Sequence, residues 1–147
     1  MATTRVTRPQ LAGRLRLAVT RTARRLRQEA GEGLSPSQTA ALATIERHGP
    51  LTPSELADRE RIQRPTVTRL LGRLEEDGLV TRSPDPGDRR SSLIALSDDG
   101  RAVLRAVRSR KDAYLAQRLR ALDDDDLATL DRAAAILERM LEEADRR

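Results

Sequence analysis

Apolar residues recur along most of the chain with a helical period, and the one break in that period marks where strands are expected. From Pro9 onward Leu11, Leu15, Val19 and Leu26 share a face, with Ala12, Ala18 and Ala23 between them and arginines opposite. That spacing predicts a helix ended by Gly31 and Gly33, preceded by a polar stretch, residues 1–8, expected to fray. Ser35-Pro36-Ser37-Gln38 reads as a helix start: Ser35 caps, Pro36 fits the first helical position and Gln38 completes a capping box. The helix it opens is expected to bury Ala41, Leu42 and Ile45. It stops around His48-Gly49-Pro50, with His48 near the C-terminal end of the dipole. Thr52-Pro53-Ser54-Glu55 repeats the start signal for a short helix with Leu56 and Ala57 inward. Residues 59–63 read as a turn containing Ile62. A further helix opens near Arg64-Pro65 and runs to about Asp77, where Gly78 ends it.

The period then changes. Residues 79–83 read as a strand, Pro84-Asp85-Pro86-Gly87-Asp88 is turn chemistry, and residues 91–96 read as a second strand. The result is a hairpin with Asp88-Arg89-Arg90 at its tip. Ser97 then caps a long helix with Asp98 and Asp99 in its first turn, carrying Val103, Leu104, Val107, Tyr114, Leu115 and Leu119. Asp123 to Asp126 break it and cap a last helix with Leu127, Leu130, Ile136, Leu137, Met140 and Leu141. No repeat and no long linker divides the chain. The expected fold is mainly α with a small β-hairpin wing. It forms one domain over residues 1–147: a winged helix-turn-helix at about 35–97, flanked by dimerisation helices at about 9–31 and 98–145.

Composition narrows what such a fold can do. Of 147 residues, 37% are hydrophobic and 35% charged, with no Trp or Phe and one Tyr, so the core must be aliphatic. A sparse aliphatic core in a charge-rich chain is more easily stabilised as a dimer than alone. Cysteine is absent, which excludes disulfides, thiolate metal sites and thiol redox sensing within the chain. His48 is the only histidine, so a multi-histidine metal site is excluded, and no cofactor motif is present. No glycine-rich phosphate loop, nucleophile–base pair or recognisable carboxylate pair suggests an enzyme. No run approaches the roughly 18 apolar residues of a membrane span, and the first ten residues lack the apolar core of a signal peptide, so a cytoplasmic bacterial protein associated with the nucleoid is expected.

The net charge of +5 favours a polyanionic partner, and its placement says more than its size. Residues 1–30 carry eight arginines against Glu29, and residues 59–73 carry five against Glu60; beyond Leu122 the chain is net acidic. In the helix after Arg64, Val67, Leu70, Leu71 and Leu74 form one buried stripe. Pro65, Thr68, Arg69, Gly72 and Arg73 lie opposite, with Thr66 at the flank. That outward face is small, hydroxylated and cationic, as a DNA major groove requires: arginine donates two bonds to guanine, and threonine bonds a base edge or touches a thymine methyl. Gln63 and Arg64 sit at the helix mouth, where phosphates are met. The preceding short helix, with Thr52 and Ser54 at its start, would cross the DNA backbone. In the hairpin, Arg90 is the candidate for insertion into a minor groove, Asp88 is placed to pair with it and fix its direction, and Arg89 would reach phosphate.

Taken in order, the capped short helix, the Arg-Pro-Thr-Val-Thr-Arg-Leu helix, Leu-Glu-Glu-Asp-Gly-Leu-Val, Asp-Pro-Gly-Asp-Arg-Arg and Leu-Ile-Ala-Leu-Ser-Asp-Asp-Gly-Arg resemble the MarR (multiple antibiotic resistance regulator) family over essentially the whole chain. The most specific part is Asp88-Arg89-Arg90 followed by residues 93–97, which matches the family's Asp-x-Arg wing. The resemblance implies a homodimer whose terminal helices intertwine, a palindromic double-stranded DNA operator, and often release by a small aromatic or phenolic effector. The expected function is sequence-specific transcriptional regulation by a homodimeric repressor. The alternative is a winged-helix module that binds protein and does not read DNA.

Overall fold

The computed structural model describes residues 6–31 and 33–146, so the expected fraying of residues 1–5 lies outside the described residues. Six helices and one hairpin follow in order: α1 (Arg8–Glu29), α2 (Pro36–His48), α3 (Pro53–Glu60), α4 (Arg64–Glu76), β1 (Val80–Asp85), β2 (Asp88–Leu96), α5 (Asp98–Leu119) and α6 (Asp124–Asp145). The described residues form two compact units whose boundary falls inside α5, between Lys111 and Asp112.

In the first unit the helix starts are fixed by the signals visible in the sequence. Ser35 accepts from the Gln38 N–H at 3.1 Å while the Gln38 side chain accepts from the Ser35 N–H at 2.8 Å. Thr52 and Glu55 make the same reciprocal pair at 3.2 and 2.7 Å. Each box satisfies two N–H groups that the helix itself leaves without partners. Thr7 and Gln10 form a third box at the head of α1, so residues 7 and 8 are held rather than frayed. The turn after α3 is made by Arg61 in the left-handed region (φ 52°), and the Ile62 N–H returns to the Ala57 carbonyl at 3.1 Å.

Leu42, Ile45, Leu56, Leu71, Leu74, Ile94 and Leu104 are fully buried and join α2, α3, α4, the hairpin and the start of α5 in one cluster. The α4 stripe behaves as its spacing demands: Val67, Leu71 and Leu74 are buried, and Leu70 packs at the margin. Gly78 (φ +71°) closes α4, and the Leu79 N–H reaches back to the Leu74 carbonyl at 2.8 Å. The side chain of Ser97 both caps α5, accepting from the Gly100 N–H at 2.9 Å, and donates to the Gly78 carbonyl at 2.6 Å. α5 therefore starts in direct contact with the end of α4.

The hairpin departs from the sequence reading in two ways. Its strands are longer than residues 79–83 and 91–96, and the turn shrinks to Pro86-Gly87, braced by the Gly87 N–H donating to Asp85 Oδ1 at 2.9 Å. It also gains a third backbone neighbour, because Leu51 exchanges both backbone bonds with Ile94, at 3.1 and 2.8 Å. That link ties the wing to the segment before α3.

In the second unit α6 is capped by Asp123, whose carboxylate accepts from the Asp126 N–H at 2.8 Å. Neither α1 nor α6 contains a buried residue. No helix of the described residues is long and apolar enough to cross a membrane.

Candidate nucleic-acid interface

The outward side of α4 gathers the residues its wheel assigns there. Gln63 is the N-cap, in extended backbone, and makes no side-chain capping bond, unlike the caps of α1, α2, α3 and α6. Gln63, Arg64, Pro65, Thr66, Thr68, Arg69 and Arg73 are all exposed. The positive end of the helix dipole thus opens beside an uncommitted amide and a guanidinium, a setting that favours an anion. Thr68 is partly committed: its hydroxyl donates to the Arg64 carbonyl at 3.0 Å, which leaves acceptor capacity and a methyl group on an exposed residue. Such a surface can accept from an exocyclic amine or touch a thymine methyl.

The arginines of this face carry no intramolecular counter-charge among the described residues. Among the described residues, the guanidinium groups of Arg64, Arg69, Arg73, Arg89 and Arg90 make no ion pair or hydrogen bond, whereas Arg82, Arg101 and Arg108 each hold a carboxylate. The five free groups concentrate positive potential on α4 and the wing.

The wing itself corrects the expected geometry. Pro84 pairs with Ser92, but the next residue, Asp85, pairs with Asp88, so residues 89–91 have no partner across the ladder. Asp88, Arg89 and Arg90 therefore belong to an irregular start of β2 beside the turn, not to a loop at the tip. An interruption of this kind re-aims side chains away from the regular pleat. Asp88 meets Arg90 through the backbone and not through the expected side-chain pair: its carboxylate accepts from the Arg90 N–H at 2.9 Å, and among the described residues it makes no ion pair with the guanidinium. Burial is not what fixes these residues; all three are exposed.

At the head of α3, Thr52 and Ser54 are half-buried and differ in what they have left to offer. The Thr52 backbone and hydroxyl are both engaged with Glu55, and these bonds, with the charge of Arg59, hold the Glu55 carboxyl below the usual carboxylate range. The Ser54 hydroxyl makes no hydrogen bond among the described residues, so it is the freer donor of the two.

Three positioning features escaped the sequence reading. Arg82 on β1 donates to Glu75 of α4 through Nε at 3.0 Å and Nη2 at 2.5 Å, and to Ser92 of β2 through Nη1 at 2.6 Å, which locks the wing to α4. The Leu51–Ile94 bridge and the double use of Ser97 complete the frame. None of the three has a local sequence signal, because each joins residues that become neighbours only on folding.

An open pocket of about 380 Å³ lies between α1, α2 and the first-unit part of α5. Leu26, Ala30, Leu34 and Ala43 supply apolar wall, and Arg27 and Lys111 supply cations. Among the described residues no group of three or more His, Asp or Glu is arranged to hold a metal ion.

Comparison with known proteins fits this geometry. The MarR family profile matches residues 34–92. An uncharacterised HTH-type transcriptional regulator of Mycobacterium leprae is 37% identical over 136 residues, spanning 92% of this chain and 95% of that protein. The HTH-type transcriptional repressor MdtR of Bacillus subtilis is 31% identical over 96 residues, 65% of this chain and 62% of that protein. A crystallised transcriptional regulator of Pseudomonas aeruginosa superposes with a TM-score of 0.82 at 38% identity, over 90% of this chain and 94% of that one. With its capped helix pair, its exposed cationic α4 and its Asp-Arg-Arg wing, the chain belongs to the MarR family of winged helix-turn-helix transcriptional regulators.

Proposed function

We propose that this regulator acts in the cytoplasm as a homodimeric repressor of a pseudo-palindromic operator, with Arg69, Arg73 and Thr68 reading bases in the major groove. Gln63, Arg64, Pro65 and Thr66 set the helix against the groove wall, Arg90 enters the flanking minor groove, and Arg89, Thr52 and Ser54 meet phosphate. The observation that carries this reading is the placement of five exposed arginines on α4 and the wing, two elements fixed by one apolar core. Exposed cations concentrated on two elements of a rigid unit favour an anion, and a helix face of small and cationic side chains suits a base-edge partner.

The dimer follows from what α1 and α6 lack. Leu11, Leu17 and Val19 on α1, and Leu130, Ile136, Met140 and Leu141 on α6, are exposed large apolar side chains at helical spacing. Burying them against a second copy would carry two α4 helices, about 34 Å apart, to successive major grooves. Repression follows the same geometry, since a dimer seated on a promoter excludes polymerase; the similarity to MdtR supports that sign. For an effector, the pocket between α1, α2 and α5 suits a small, partly apolar anion, aromatic acids included, because its apolar wall carries Arg27 and Lys111. Occupancy there would act by favouring one helix spacing over another.

The decisive experiment is affinity against salt for wild type, Arg69→Ala and Arg73→Ala on one duplex. Wild-type log affinity should fall steeply with log salt, and a lost phosphate contact should reduce that slope by about one. A lost base contact should leave the slope and relax base preference, with about 1–3 kcal/mol for a bidentate pair. Weak, salt-insensitive association with every duplex would favour the protein-binding alternative.

A further inference from the structure

We infer that Gly72 is a clearance residue: its missing side chain sets how closely α4 approaches the DNA. This rests on the reading of α4 as the base-reading helix. Glycine is, after proline, the least favourable residue inside a helix, because it forfeits the most backbone freedom on folding. A helical glycine is explained when a side chain has no room. Gly100 is explained in this way, since a Cβ there would come within 2.0 Å of the Leu79 carbonyl oxygen. Gly72 is not, because a Cβ built there meets nothing within 4 Å. Nor does its backbone require glycine, for it lies within the regular span of α4 and outside the left-handed region. Gly13 on α1 is equally open, but it lies on a helix that contains no buried residue and none of the side chains assigned to DNA.

The position of Gly72 gives the open space a direction. At about 100° per residue it lies one turn beyond Thr68 and Arg69 and two beyond Pro65. Val67, Leu71 and Leu74 bury the opposite side. The recess is therefore framed by the side chains assigned to DNA, with exposed Arg69 and Arg73 on its borders. A helix with side chains nearly fills a major groove about 12 Å wide, so a bare backbone there lets the axis sit deeper and lets the bordering arginines reach the base edges. A glycine that the fold does not need, at the centre of the reading face, is accounted for by close approach of the helix to its ligand.

The test compares Gly72→Ala and Gly72→Leu with wild type on one duplex selected against the wild-type chain and on an unrelated duplex. Both substitutions favour the helix, so the melting temperature should rise by about 2–4 °C. Affinity for the selected duplex should nevertheless fall with side-chain size, by about tenfold or more for Leu, while affinity for the unrelated duplex changes little. Unchanged affinity in both variants, while Arg69→Ala and Arg73→Ala weaken binding, would overturn the clearance role and leave the reading helix in place. Unchanged affinity in all four variants would overturn both. A lower melting temperature in Gly72→Ala would mean that the fold itself requires glycine, and would overturn the clearance role as well.

Discussion

The winged unit and the terminal helices solve the burial problem in opposite ways. Around α2, α3, α4 and the hairpin, Leu42, Leu56, Leu71, Leu74 and Ile94 are fully buried, and no buried polar side chain among the described residues lacks a partner. On α6, by contrast, Ile136, Met140 and Leu141 are 48%, 56% and 67% exposed, and α1 contains no buried residue. The first region is complete within one chain and can hold a reading surface rigid. α1 and α6 leave large apolar side chains exposed, and helices draw most of their stability from packing of the apolar face. Rigid geometry is needed where bases are read. In the dimer proposed above, the exposed apolar faces of α1 and α6 would set the spacing of the two readers.

The sharpest way to break this contrast is to damage each region in turn. Leu71→Ala should cost about 2–5 kcal/mol, as core truncations do, read as a lower urea midpoint with loss of the winged unit's cooperative unfolding. On α6, Ile136→Glu with Leu141→Glu should remove about 1.5–3 kcal/mol per side chain of interface burial, read by sedimentation as dissociation to monomer. The wild-type unfolding midpoint should rise with protein concentration, as mass action requires when folding and association are linked. A concentration-independent midpoint together with a monomer would remove the contrast, since the terminal helices would then be stable alone.

A smaller effect sharpens the division within the winged unit itself. Arg90→Ala touches no core residue, so the melting temperature should stay within about 1 °C of wild type, a surface effect. Affinity should drop most on operators whose flanks have a narrow A·T-rich minor groove, where arginine gains most. Equal affinity across flanks of different groove width would remove Arg90 from the minor groove.

The smallest expected effect is the pH response of the α3 cap. The Thr52 backbone N–H, then the Thr52 hydroxyl, lower the Glu55 pKa in the folded chain, and Arg59 adds to this. A lowered folded pKa means that the cap's contribution is complete above the ordinary carboxylate range. It is lost as pH falls through the lowered value. Glu55→Gln keeps a side-chain acceptor and should flatten this part of the acid limb in a pH titration of thermal stability; an unchanged acid limb would show that the cap is not its source.

Much of this was legible in the sequence because its signals are local. Ser35 with Gln38 and Thr52 with Glu55 announce helix starts within four residues, and Val67, Leu71 and Leu74 announce a buried stripe within eight. The wing was only half legible. Pro86-Gly87 marks a turn, but the register jump that leaves residues 89–91 unpaired depends on how two strands meet. Arg82 was invisible as a positioning residue for the same reason: Glu75 and Ser92 lie on either side of it in sequence and converge only when α4 and the hairpin pack. The Leu51–Ile94 bridge spans the whole reading unit and has no short-range signature.

The most direct test of the central claim is selection of bound fragments from genomic DNA by the full chain at moderate salt. Two rigid α4 helices carried by one symmetric dimer should enrich a pseudo-palindrome whose half-sites are centred about 34 Å apart, one helical turn. Enrichment of a single, non-repeated half-site would contradict the dimeric spacing, and no enriched sequence at all would contradict base reading by α4.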